Sequence, residues 1–152
     1  PSVGSIIYEH RSKRISNDEI FEHVSFWGPY VSLMKNLTVK EMISYYIKNS
    51  KLRNDASVSE VFDSINIKVS PKAIVKSLSS GQMQRVGLYL TILAETSILL
   101  LDEPGSYLDQ EGKAWYQELL KRENGNRIIV IASNEEEDMK LSNESLLIKA
   151  FH

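Results

Sequence analysis

Residues 98–101, Ile-Leu-Leu-Leu, and residues 128–131, Ile-Ile-Val-Ile, are two short runs without a single polar side chain. A strand with one wet face alternates apolar and polar residues. A uniform run suits a strand buried on both faces, as in parallel sheets covered by helices. Each run also follows a segment of helical period: Met83, Val86, Leu90 and Leu93 precede the first, and Ala114, Trp115, Leu119 and Leu120 the second. Helix, strand, helix, strand predicts an α/β fold with parallel strands, with both of these runs fully buried.

The rest of the chain supplies further elements. Ser5, Ile6, Ile7 and Tyr8 read as a short strand, residues 10–18 as a charged turn, and residues 24–27 as a strand stopped by Gly28 and Pro29. Three stretches carry the spacing of a capping box, in which a hydroxyl and a longer acceptor side chain exchange bonds with each other's backbone N–H. They are Thr38 with Glu41, Ser57 with Glu60, and Ser79 with Gln82. Met42, Ile43, Tyr46 and Ile47 follow the first at helical spacing, and Val61, Phe62 and Ile65 follow the second. Residues 124–125 read as a turn, 135–141 as weakly helical and 146–148 as a last strand.

Composition narrows the function classes. A length of 152 residues suits one domain with a real core. A net charge of −2 gives no bulk attraction to nucleic acid or anionic membrane. There is no cysteine, so disulfides and thiolate metal sites are excluded, and no apolar run nears the ~20 residues that cross a bilayer.

The chemistry-bearing stretch is residues 99–109, LLLDEPGSYLD. In open parallel sheets ligands bind beyond the carboxyl ends of the strands, where Asp102 and Glu103 stand. Successive strand residues point in opposite directions, so the two acids can serve different ends. One can face a hydrated Mg²⁺ and the other an attacking water, the two services that phosphoryl transfer needs. Taken alone, an Asp-Glu pair after a strand is more often a turn cap beside a solvated carboxylate. Ser79, Ser80, Gly81 and Gln82 lie upstream at a helix start, which offers N–H donors and a positive dipole end to an anion, although alone it is an ordinary cap. Their order and spacing together are far more specific than either part.

On these motifs the chain resembles the ATP-binding domain of an ABC-type ATPase. Residues 78–82 resemble the family signature LSGGQ, with Ser80 in place of its first glycine. Residues 98–102 resemble the Walker B strand, Glu103 the catalytic glutamate, and residues 106–109 the D-loop. The resemblance implies a partial P-loop NTPase-like three-layer core with parallel strands and an inserted helical subdomain. Residues 1–36 would be a remnant of the N-terminal β part, 37–80 the helical subdomain and 81–152 the Walker B core. It implies ATP and Mg²⁺ as cofactors, with Asp102 on the metal, Glu103 polarising the water, and Ser79, Ser80, Gly81, Gln82, Asp109 and Ser133 as the nucleotide-binding set. Ser79 and Gly81 would contact the γ-phosphate of ATP held by a second ATPase subunit. A membrane-embedded subunit would dock near residues 25–65, placing the protein in the cytoplasm at the inner face of the cell membrane. The short chain is similar to the compact ATPase subunits of bacterial exporters. A soluble ABC-type ATPase working on nucleic acid or ribosomes is the alternative, set against by the lack of a basic stripe and of a heptad run.

Three family parts are not matched. No G-x-x-x-x-G-K-[ST] phosphate loop is present, since Gly112 and Lys113 are followed by Ala114. The chain, which starts at Pro1, is expected to begin just after that loop. The missing strand is expected beside the Walker B strand, so the isolated chain should self-associate and not turn over ATP. Gly28, Pro29 and Tyr30 stand where the Q-loop glutamine belongs, and Ser133, followed by Asn134, where the switch histidine belongs. Ser133 or Asn134 could bond a phosphate oxygen, but neither carries a positive charge. His10, His23 and His152 are elsewhere and expected at the surface. Trp115 is expected in the core, while Trp27 and Tyr30 suit either a partner groove or packing under a loop.

Overall fold

The computed structural model describes residues 5, 7–10, 12–123 and 125–146. It opens with an antiparallel ribbon, β1 (Tyr8–His10) against β2 (Lys13–Ile15). The strand expected at residues 5–8 therefore starts at its last residue, and the expected charged turn contains a strand of its own. Charge did not prevent pairing because the ribbon sets Glu9 opposite Arg14, a favourable cross-strand pair in solvent.

Next come β3 (Val24–Trp27), α1 (Val39–Asn49), α2 (Val58–Ile65) and α3 (Ser80–Leu93). All three expected capping boxes form. The hydroxyls of Thr38, Ser57 and Ser79 accept from the N–H of Glu41, Glu60 and Gln82, whose side chains accept from the capping residue's own N–H. The chain continues through β4 (Ile98–Asp102), α4 (Gln110–Glu123), β5 (Ile128–Ala132) and the single turn α5 (Glu136–Met139). Leu146, placed in a last strand by the sequence, is 87% exposed and outside every strand. Its partners in that expectation, residues 147–148, lie outside the described residues.

The strands β3, β4 and β5 form one parallel sheet in that order, with Trp27 beside Leu101 and Leu101 beside Ile131. The α/β architecture with parallel strands is as expected, but two details are corrected. β4 is paired along both edges, so no strand position is open beside it; among the described residues the free edges belong to β3 and β5. Nor is β5 fully buried. The register puts Ser25, Trp27, Leu99, Leu101, Ile129 and Ile131 on one face, and Phe26, Leu100, Ile128 and Val130 on the other. On the first face Leu99 and Leu101 are at 0% and 1% exposure, whereas Phe26, Ile128 and Val130 on the second stand at 44%, 63% and 50%. An unbroken apolar run reports two faces able to be buried, and here one face is covered.

The covering helix is α3. Instead of one apolar stripe it is buried on all sides from Gln84 to Leu93, packed against β3 and α4. Val39, Ile43, Val61 and Ile65 of the α1–α2 pair join the same core cluster, as do Tyr116, Leu119 and Leu120 of α4. Trp115 is only partly buried. It stacks on Tyr89 at 6.4 Å between ring centroids, and its indole N–H donates to the carbonyl of Ser64.

Candidate functional site

β4 delivers Asp102 to the carboxyl edge of the sheet, on the uncovered face with Leu100. The chain then turns sharply. Glu103 has φ +49° and Tyr107 φ +65°, two left-handed residues with side chains inside one short turn. Such conformations cost about 1–3 kcal/mol each and persist only where the surroundings fix them.

Several contacts fix this turn. The Glu103 N–H donates to the Ala132 carbonyl of β5 at 2.7 Å, and its own carbonyl accepts from Ser106 N–H at 3.1 Å. The Glu103 carboxylate accepts from Asn134 Nδ2 at 3.0 Å. The Pro104 carbonyl accepts from Gln84 Nε2 at 2.9 Å. Tyr107 is held from the other side, because its carbonyl lies where Gly81 has no side chain. A Cβ on Gly81 would sit 2.7 Å from that oxygen, so glycine is required for the start of α3 and the turn at Tyr107 to meet.

The structure therefore gathers the expected site residues into two groups. Asp102 and Glu103 stand together at the end of β4, with Asn134 on Glu103. Ser79, Gly81, Gln82 and Asp109 line a separate groove of about 350 Å³, along with Lys68 and Tyr107. Ser80, the first residue of α3, is exposed beside it. Asp109 caps α4, accepting from the Gly112 N–H at 2.7 Å, and stands 3.9 Å from the buried guanidinium of Arg85. Arg85 in turn lies over the Trp115 ring at 5.1 Å.

Ser133 is engaged elsewhere. Its hydroxyl donates to Asp138 at 2.7 Å and accepts from Glu135 N–H at 3.0 Å. Asp138 is 2% exposed and also accepts from the Tyr116 hydroxyl. Burial, then that bond to the carboxylate, pushes the Tyr116 phenol above its ordinary range, so it remains a neutral donor. Lys113 pairs with Glu135 at 2.6 Å, and this hydrogen bond raises its ammonium above the usual lysine value. This network anchors the turn after β5 and leaves Asn134 facing Glu103. Sequence reading named Ser133 and Asn134 together, and of the two it is Asn134 that bonds Glu103. Sequence reading missed Gln84 and Trp27, joined by a buried bond of 3.0 Å. The available signal was a glutamine amid the buried residues of α3, with a tryptophan at the end of a strand to satisfy it.

Comparison with known proteins identifies the family. A family model described as ABC transporter matches residues 1–106. A sulfate/thiosulfate import ATP-binding protein, CysA, of Anthoceros angustus is 29% identical over 98% of this chain and 40% of its own length. The aliphatic sulfonates import ATP-binding protein SsuB of Bacillus subtilis (strain 168) is 31% identical over 75% of this chain and 46% of its own. The chain thus spans less than half the length of these relatives. Among solved structures, the ATP-binding cassette MJ0796, described as dimeric in a post-hydrolysis state with ADP and Pi, superposes with a TM-score of 0.66 over 87% of this chain and 62% of that one. Its identity of 19% supports the likeness of fold. With the family model covering β1 to β4, α3, Asp102 and Glu103 in one continuous match over most of the chain, the chain belongs to the ABC transporter family.

Proposed function

We propose that this chain is the Walker B and signature portion of an ATP-hydrolysing subunit that energises an ABC transporter. The observation that carries this reading is Glu103, held left-handed at φ +49° beside Asp102, with its carboxylate oriented by Asn134 at 3.0 Å. A carboxylate fixed at the end of a parallel strand can accept a hydrogen bond from water and aim it at a phosphorus atom. The bond from Asn134 occupies Glu103 Oε1, which leaves Oε2 to receive that bond.

Asp102 suits the metal. Among the described residues no group of three or more His, Asp or Glu is placed to hold an ion. Mg²⁺ in nucleotide sites needs no such cage, since one or two carboxylates, phosphates and waters complete its shell. When bound, Mg²⁺ neutralises phosphate charge. The groove at Ser79, Gly81 and Gln82 contains neither Asp102 nor Glu103, which supports its use on the nucleotide of a second ATPase subunit. A membrane-embedded subunit is the further partner in this reading, with the protein peripheral at the inner face of the cell membrane. Among the described residues no helix is long and apolar enough to cross a membrane.

The test is Glu103→Gln in the full-length protein. Phosphate release should fall at least about 100-fold while Mg-ATP binding is retained, because only the water-facing group changes. Unchanged release would overturn the assignment. The 152-residue chain alone, without the phosphate-loop motif, should show no Mg-ATP binding by calorimetry; tight binding would place the nucleotide elsewhere.

A further inference from the structure

Gln84 makes two buried hydrogen bonds that connect distant parts of the chain. Its Oε1 accepts from Trp27 Nε1 at 3.0 Å, and its Nε2 donates to the Pro104 carbonyl at 2.9 Å. The residue is 9% exposed. An indole N–H can only donate and a proline carbonyl can only accept. The two partners therefore permit one orientation of the amide: oxygen toward Trp27 and nitrogen toward Pro104.

Trp27 is itself immobilised. It is the last residue of β3, 6% exposed, with its ring seated over Gly87 where any Cβ would come within 2.0 Å of Cη2. Pro104 directly follows Glu103, whose backbone is left-handed. Pinning the Pro104 carbonyl fixes the Pro104–Gly105 peptide, one plane beyond the one that flanks Glu103, with the proline ring holding φ between them. Without the pin, one of the bonds that hold this turn is lost, which eases relaxation of Glu103 toward the extended region favoured before proline and turns its carboxylate with it.

We propose that Gln84 is a positioning residue for Glu103, with Trp27 setting the orientation of its amide. This rests on the reading of Glu103 given above. Gln84 is buried, and it acts through the Pro104 carbonyl. The same amide joins the end of β3, and so the loop from Gly28, to the turn that carries Glu103. Displacing Trp27 removes the partner that orients the amide.

Three variants test this. Gln84→Met fills the same space without either bond. Trp27→Phe keeps a ring but removes the donor. Trp115→Phe loses an indole bond of the same kind, 3.1 Å to the Ser64 carbonyl, away from the turn. Amide hydrogen exchange on this chain is the first readout, at Glu103 and Ser106 relative to Leu100 inside β4. Gln84→Met should speed exchange at Glu103 and Ser106 about tenfold relative to Leu100. Trp27→Phe should act in the same direction and less, and Trp115→Phe should leave the ratio alone. In the full-length protein, Gln84→Met should lower kcat about tenfold with KM for Mg-ATP within about twofold. Exchange rising equally at Glu103 and Leu100 would mean only a loss of global stability and would overturn the proposal, as would an unchanged kcat per folded molecule. The exchange ratio reads the hold on Glu103 whether or not Glu103 acts on water. Hydrolysis surviving in Glu103→Gln would refute the role of Glu103 and leave that ratio standing.

Discussion

Gly87→Ala separates local propensity from packing by the sign of its effect. Gly87 lies inside α3, where replacing glycine by alanine gains about 1 kcal/mol of helix propensity. The structure opposes that gain. A Cβ at this position would meet Trp27 Cη2 at 2.0 Å, Cζ2 at 2.1 Å and Cζ3 at 2.4 Å. These are atoms of a rigid buried ring, so the ring or the helix must move. Overpacking of this kind costs about 1–3 kcal/mol. Moving the ring also strains the Trp27–Gln84 bond, and leaving its buried donor and acceptor unmet costs a further ~1–3 kcal/mol. The expected net loss is about 3 kcal/mol, a large share of the ~5–15 kcal/mol typical of a domain. Urea unfolding followed by tryptophan fluorescence should show a midpoint lower by roughly 1–2 M. In a Trp27→Leu background the obstacle is gone, and Gly87→Ala should become neutral or stabilising. Stabilisation by Gly87→Ala in the parent chain, or an equal cost in both backgrounds, would refute the packing argument.

The helix caps set an acid dependence. Backbone and then hydroxyl bonds from Thr38 hold the Glu41 carboxyl below its ordinary value, and hydroxyl and then backbone bonds from Ser57 do the same for Glu60. Both groups bind protons less readily folded than unfolded, so their contribution is full above the unfolded carboxylate range near ~4.3 and is lost as pH falls through the folded values. A Glu41→Ala, Glu60→Ala variant should melt below the parent at neutral pH, with the gap narrowing under about pH 4; a gap that widens on acidification refutes the linkage. The uncovered sheet face gives another prediction. Phe26→Thr with Val130→Thr should reduce concentration-dependent association of this chain in light scattering, and a parent that stays monomeric at high concentration would show that this face does not drive self-association.

What the sequence revealed follows the range of each interaction. A capping box is complete within four residues, and all three could be read directly from Thr38, Ser57 and Ser79. The acidic pair at the end of β4 was legible for the same reason, since a strand ending and its turn are local. Burial of the second sheet face was not. Residues 128–131 read alike whether another layer covers them or not, and Ile128 at 63% exposure shows that none of the described residues does. Strand order was equally hidden: β4 pairs with β3 and β5 across long intervals that no local period encodes. The sequence named both Ser133 and Asn134 after β5 and could not say how each is engaged. Ser133 and Asn134 are both small polar side chains, and only the buried carboxylate of Asp138, which binds the serine, decides that the asparagine faces Glu103.

The two left-handed residues of the acidic turn then share a cause. Gly81 at the start of α3 clears the space that the Tyr107 carbonyl enters, and Gln84 one turn later holds the Pro104 carbonyl beside Glu103. Gly87, another turn along, receives the ring of Trp27, whose N–H orients Gln84. Three positions spaced by three residues on one buried helix thus set the backbone of a turn that lies more than fifteen residues away in sequence. A helix is stiffer than any loop, so displacement of α3 as a body moves both ends of the turn together. The residues at its N-terminus and the carboxylate at Glu103 are then held in fixed relation by the helix between them, which suits the proposed use of the two halves on different nucleotides.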